Sequence, residues 1–184
     1  MPRIVYPLYL SFLLALSPRA DTAAETTAFV TFKGTSTLHD FEGTATSQPF
    51  ALTFTEIPEI GQIRLSATAD LNVSTMDTAN KKRDRKMFTM LDREHFQLIS
   101  GSLPETVIPV SGSGHARLKL KIRDTEQYVE ATLSNWQREG NTIRVDLTFP
   151  VSLAAFGLKP PSVLGMIRVG DTVNVTCEIE GNCQ

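Results

Sequence analysis

The side chains best suited to acid-base, nucleophilic or metal chemistry are few and scattered. The chain of 184 residues holds three histidines, His39, His95 and His115, and two cysteines, Cys177 and Cys183. A metal site draws on His, Cys and carboxylate donors at short, regular spacings. The histidines fall in three separate segments and the C-x5-C pair has no neighbouring His, so no metal is expected. The string Ser36-Thr37-Leu38-His39-Asp40 contains the three residue types of an acyl-transfer relay. In an extended strand, however, Ser36 and His39 face opposite sides and cannot form one. His39 therefore reads as a hydrogen-bonded residue at a strand end, and His95 and His115 take the same reading. Gly112 and Gly114 are followed by no helical pattern, so no phosphate loop or nucleotide cofactor is implied. Glu56, Glu59, Asp70, Glu130 and Asp146 occupy mostly polar positions, and nothing marks two of them as a general acid and base. The expectation is a protein that is not an enzyme and carries no cofactor.

Charge is concentrated in Lys81-Lys82-Arg83-Asp84-Arg85-Lys86, five cations within six residues. Such a run is either a solvated helix face or an attractor for an anionic head group or membrane surface, where each cation contributes about 1 kcal/mol. Nucleic acid is disfavoured, because the chain as a whole is acidic, with 18 Lys+Arg against 20 Asp+Glu, and Phe88 is the only aromatic nearby. Helix formers run from Asp77 to about Leu91, with Ser74 as the capping signal. Met87, Phe88, Met90 and Leu91 gather at the far end, so the front of this helix should be wet and positive. Met76, Met87 and Met90 bracket it, and flexible thioethers suit either an adaptable apolar guest or an irregular core.

The elements that must position these residues are strands. Ala116, Leu118, Leu120 and Ile122 interleave with Arg117, Lys119, Lys121 and Arg123, a period of two that no helix sorts so cleanly. Residues 62–74 alternate likewise, as do the runs through Val30–Leu38, Ile143–Phe149 and Val173–Ile179; weaker runs lie near 41–54, 95–102 and 127–136. Turn residues fall at Gly112-Ser113-Gly114, Asp124-Thr125-Glu126, Glu139-Gly140-Asn141 and Gly170-Asp171, and Pro160-Pro161 reads as a loop. About eight strands, each with one dry face, imply an antiparallel barrel or sandwich. Small residues at inward positions, Gly34, Ser36, Ala67 and Ala69, favour space inside.

The chain opens with Arg3, an apolar run from Ile4 to Leu16 and small residues around Ala20 to Ala24. This reads as a signal peptide over 1–24, cut after Ala20 or Ala24, followed by one domain over 25–184 in the periplasm or secreted. Cys177 and Cys183 could close a terminal disulfide, or Cys177 could be a buried hydrophobe of its alternating run.

Several strings, taken in order, resemble the YceI-like family. They are Phe32-Lys33-Gly34-Thr35-Ser36-Thr37-Leu38-His39-Asp40-Phe41-Glu42-Gly43, the run 62–74 with Met76-Asp77-Thr78, Arg83-Asp84, Leu91-Asp92 and His95-Phe96, and Pro161-Ser162 with Gly165 to Val173. The sequence departs from the family pattern at His95-Phe96-Gln97-Leu98-Ile99, where an aromatic-proline pair is usual. The resemblance implies an all-β fold, an extended eight-stranded antiparallel lipocalin-like barrel with one helix near the mouth, enclosing an apolar tunnel for a polyisoprenoid or similar long-chain lipid. On that reading the tail lies against Phe32, Leu38, Phe41, Leu65, Leu71, Leu118, Leu120, Leu133, Leu147 and Phe149. Met87, Phe88, Met90 and Leu91 line or gate the entrance, and Lys82, Arg83 and Arg85 face the head group, with contact to a membrane surface. The alternatives are an outer-membrane barrel, an enzyme or redox accessory using His39 or the cysteines, and a filled barrel acting as a protein-interaction or stress-response accessory module. The oligomeric state stays open, a dimer included.

Overall fold

The computed structural model describes residues 22–160, 162–163 and 167–183. Most of the expected signal segment, residues 1–21, lies outside these, as do Pro161, Gly165 and Met166 of the closing string.

Alternation becomes architecture because each strand must hide its apolar face. The strands are β1 (Thr22–Ser36), β2 (Phe41–Thr46), β3 (Phe50–Ile57), β4 (Gln62–Asn72), β5 (Leu98–Pro109), β6 (Ser113–Ile122), β7 (Thr125–Glu139), β8 (Thr142–Ser152), β9 (Ser162–Val163) and β10 (Ile167–Cys183). One helix, α1 (Lys81–Met90), lies between β4 and β5. Every described pairing is antiparallel, and β1 closes the sheet by pairing with β10 from Ala24 opposite Cys183 to Ser36 opposite Val169. Closure removes the sticky edges of an open sheet. Around the barrel the wall runs β1, β2 with β3, β4, β5, β6, β7, β8 and β10, eight positions in all.

The expected strand near 41–54 is two strands sharing one wall position: β2 pairs with the second half of β1 and β3 with the first. Pro49 has no N–H to give the ladder. The break is repaired by Ser47, whose N–H donates to Ala28 O (2.9 Å) and whose Oγ accepts from Ala28 N (2.8 Å). Further differences have local causes. The first strand ends at Ser36 and not Leu38, because Ser36 Oγ donates to His39 O (2.6 Å) and accepts from His39 N (3.2 Å), closing a turn. This hydroxyl is therefore bound to the His39 backbone. Gly170-Asp171 is not a turn but lies within β10.

The helix begins at Lys81, later than expected. Asn80, not Ser74, is its cap, with Oδ1 accepting from Lys82 N (3.1 Å) and Arg83 N (3.2 Å). The strand after it starts without the usual proline: Asp92, at φ 50°, accepts the His95 and Phe96 N–H groups on its carbonyl, and its carboxylate meets His95 Nδ1 at 2.8 Å.

The apolar face is the inner one. Outward positions of β6 and β7 carry the pairs Arg117–Glu130 and Lys119–Glu126, a wall that hydrocarbon would not solvate, which argues against an outer-membrane barrel.

Candidate functional site

The barrel interior holds a cavity of about 250 Å³ reaching down from the α1 end. Inward alternation supplies its walls. Phe32 of β1, Leu65 and Leu71 of β4, Leu118 and Leu120 of β6, Leu133 of β7, and Leu147 and Phe149 of β8 all line it, as expected from parity. Val173, Val175, Cys177 and Ile179 close the wall on β10. Along α1, Arg83, Met87, Met90 and Leu91 stand at spacings of four, seven and eight residues, one helical face, and that face looks into the cavity. Phe41 lines the same end, with the Arg83 guanidinium 5.3 Å from its ring centre.

Three of the expected assignments change. Leu38 does not line the cavity: it sits in the turn after β1, 61% exposed. Phe88 is off the lining face of α1 and packs beneath Arg93, whose guanidinium is 4.3 Å from the ring centre. The Lys82, Arg83 and Arg85 set is divided, since only Arg83 lines the cavity while Lys82 and Arg85 are exposed. None of the three has a carboxylate partner among the described residues. The sole acid in the run, Asp84, accepts from Thr78 N (3.0 Å) and Thr78 Oγ1 (2.6 Å), tying α1 to the buried connection before it.

The space inside comes from small residues, though only in part the ones expected. Ala67 and Ala69 line the cavity, and Gly101 faces them from β5. A Cβ on Gly101 would meet only Leu118 Cδ1, at 3.8 Å, so this glycine is a gap in the wall lining. It was legible in the alternation Ile99, Gly101, Leu103. Gly34 opens no space, because the Phe41 ring from the paired strand covers it, and Gly43 is covered in the same way by Phe32. Ser36 is occupied by its turn.

Three polar groups at the wall have partners within the protein. Ser47 bonds the β1 backbone, Thr78 bonds Asp84, and Asp70 Oδ1 accepts from Ser100 Oγ at 2.5 Å. Burial pushes the Cys177 thiol up to about 12, so it behaves as a neutral apolar group. Cys177 and Cys183 are six residues apart on one extended strand, about 20 Å, far beyond the roughly 7 Å limit for a disulfide. Both are free thiols, so the disulfide reading is corrected by the length of β10. His39 and His115 are exposed, and no group of three or more His, Cys, Asp or Glu could hold a metal among the described residues. Wall and mouth together can enclose an apolar chain and present one guanidinium to whatever lies at its end.

Among curated proteins the sequence finds no match. Solved structures share its fold at low identity. The structure of BcnA from Burkholderia cenocepacia aligns with a TM-score of 0.65 at 16% identity, covering 83% of this chain and 95% of the other. A polyisoprenoid binding domain from Saccharophagus degradans, implicated in plant cell wall breakdown, aligns at 0.62 and 12%, covering 90% and 100%. The YCEI protein of Campylobacter jejuni aligns at 0.55 and 12%, covering 76% and 83%. The model of the YceI-like domain matches residues 19–181, nearly the whole of the described barrel, and the chain belongs to the YceI-like family.

Proposed function

We propose that this chain is an exported, non-enzymatic carrier that sequesters a long-chain, isoprenoid-like amphiphile, tail in the barrel and head at α1. The observation that carries this reading is the apolar cavity. The cavity, of about 250 Å³, is apolar along its length, and each methylene of a guest chain buried in it contributes about 0.8 kcal/mol without needing a hydrogen bond. Ser47, Asp70 and Thr78, the polar side chains of the wall below Arg83, each bond within the protein, which leaves a mainly apolar surface for a tail. The polyisoprenoid binding domain of similar fold supports the same ligand class.

The cations of α1 support contact with an anionic head group or lipid surface. Three of them, Lys81, Lys82 and Arg83, occupy the first helical turn, where the helix dipole disfavours positive charge. A feature that opposes local stability is accounted for by a partner of opposite charge. Of the two expected cut sites, the start of β1 favours the first: Ala24 is 1% exposed and paired with both Leu52 and Cys183. Cleavage after Ala24 would strip paired residues from the strand, so the mature chain is expected to begin at Asp21, which intact mass of the periplasmic protein tests.

The decisive test of the carrier is native mass spectrometry of that protein, followed by extraction and identification of the lipid. A stoichiometric long-chain lipid is the expected result; a bare polypeptide mass that stays unchanged after incubation with polyprenols refutes it. Replacing Lys82, Arg83 and Arg85 together by Gln should weaken binding to phosphatidylglycerol vesicles by about 3 kcal/mol and leave phosphatidylcholine binding unchanged.

A further inference from the structure

The cavity does not run through the barrel. Two residues further from α1, the inward positions are filled by Phe54, Ile63, Ile108, Trp136 and Ile143, none of which lines the cavity and none more than 8% exposed. Phe54 and Trp136 meet edge to face with ring centres 5.2 Å apart. From outside, Arg138 lies 5.5 Å from the Phe54 ring centre and pairs with Glu56 at 3.4 Å.

Trp136 is there because of a bulge. Leu133 faces inward opposite Leu147, so simple alternation would turn Trp136 outward. The register of β7 against β8 slips by one residue between Ser134 and Gln137, with Asn135 at φ 56°. Asn135 Nδ2 donates to Asp146 Oδ2 at 2.6 Å and holds the irregularity on the outer surface. The slip rotates the indole into the barrel.

We propose that the Trp136–Phe54 layer is a ruler: it sets the greatest tail length the barrel accepts, and Trp136 is its specificity-determining residue. The inference rests on the carrier reading. One inward layer spans two strand residues, about 5 Å along a tilted barrel axis, close to one extended isoprene unit. Removing the indole should therefore admit a tail longer by about one unit, and adding bulk one layer above should exclude one unit.

The test measures affinity of the purified full chain for a series of all-trans polyprenols of increasing length, by displacement of a fluorescent lipid. For the wild type, affinity should climb with each unit and then stop climbing at a definite length. Trp136→Ala should move that break to longer tails. Because the loss of a buried indole can unfold a barrel, Val145→Phe, which adds a ring to the lining above the floor, is measured in parallel and should move the break to shorter tails. Affinity that rises without a break, or a break that Val145→Phe leaves in place, overturns the ruler while leaving the carrier intact. No displacement by any polyprenol in the wild type overturns the carrier and the ruler with it.

Discussion

Replacing Gly101 by leucine should make this protein more stable and a poorer lipid binder at once. Gly101 lies mid-strand in β5 at the cavity wall, opposite Ala69, and a side chain there would enter open space beside Leu118. Burying a leucine side chain is worth about 1.5–3 kcal/mol, and removing a strand glycine adds about 0.5–1 kcal/mol by reducing unfolded-state freedom. The ligand-free protein should gain about 3 kcal/mol, raising Tm by about 6–12 °C for a domain of this size. The same four carbons occupy the path of the tail, displacing about 3 kcal/mol of burial at ~0.8 kcal/mol per methylene, which lowers affinity on the order of 100-fold. Denaturant unfolding of delipidated protein and displacement of a fluorescent lipid give the two numbers. A filled interior predicts the reverse: overpacking would cost about 1–3 kcal/mol. Destabilised Gly101→Leu protein with unaltered lipid binding would refute the open lumen.

Other expectations follow from side chains elsewhere in the barrel. Asp171 receives Ser152 Oγ (2.6 Å) and Ala154 N (2.7 Å), which hold its carboxyl below the usual range. A depressed carboxyl stabilises the fold above its unfolded pKa of about 3.9, and that contribution disappears as pH falls through the folded value. The Tm gap between wild type and Asp171→Asn should therefore be widest near neutrality and close on acidification below about pH 4; a gap independent of pH would contradict this. Asp84→Ala loses both Thr78 bonds and should cost about 2 kcal/mol, and because α1 covers the mouth, bound lipid should leave faster in stopped flow. Cys177 should resist maleimide at pH 8 in folded protein and react after denaturation, with no mass change on reduction, since the two thiols cannot reach each other along β10.

Alternation made most of the barrel legible from the amino-acid order. On β6 and β8 a period of two assigns each residue to a face without knowledge of its neighbours, and Leu118, Leu120, Leu147 and Phe149 line the cavity as that parity requires. Spacing on α1 brings Arg83, Met87, Met90 and Leu91 to one face, because helical geometry is local. Leu38 misled because a single serine, bonding its own chain three residues on, ended the strand before the alternation did. The two cysteines misled because closeness in sequence is distance when the segment is extended.

What only the folded barrel decided is where strands slip and what faces what across the wall. The slip that turns Trp136 inward is a property of the pairing between β7 and β8, absent from either strand alone. Gly34 and Gly101 are the same residue type at inward positions, yet one is covered by Phe41 from its partner strand and the other opens the lumen. That difference lies in the register of neighbouring strands. A one-dimensional pattern assigns each residue to a face, and the closing of the sheet on itself determines how much of that face is filled.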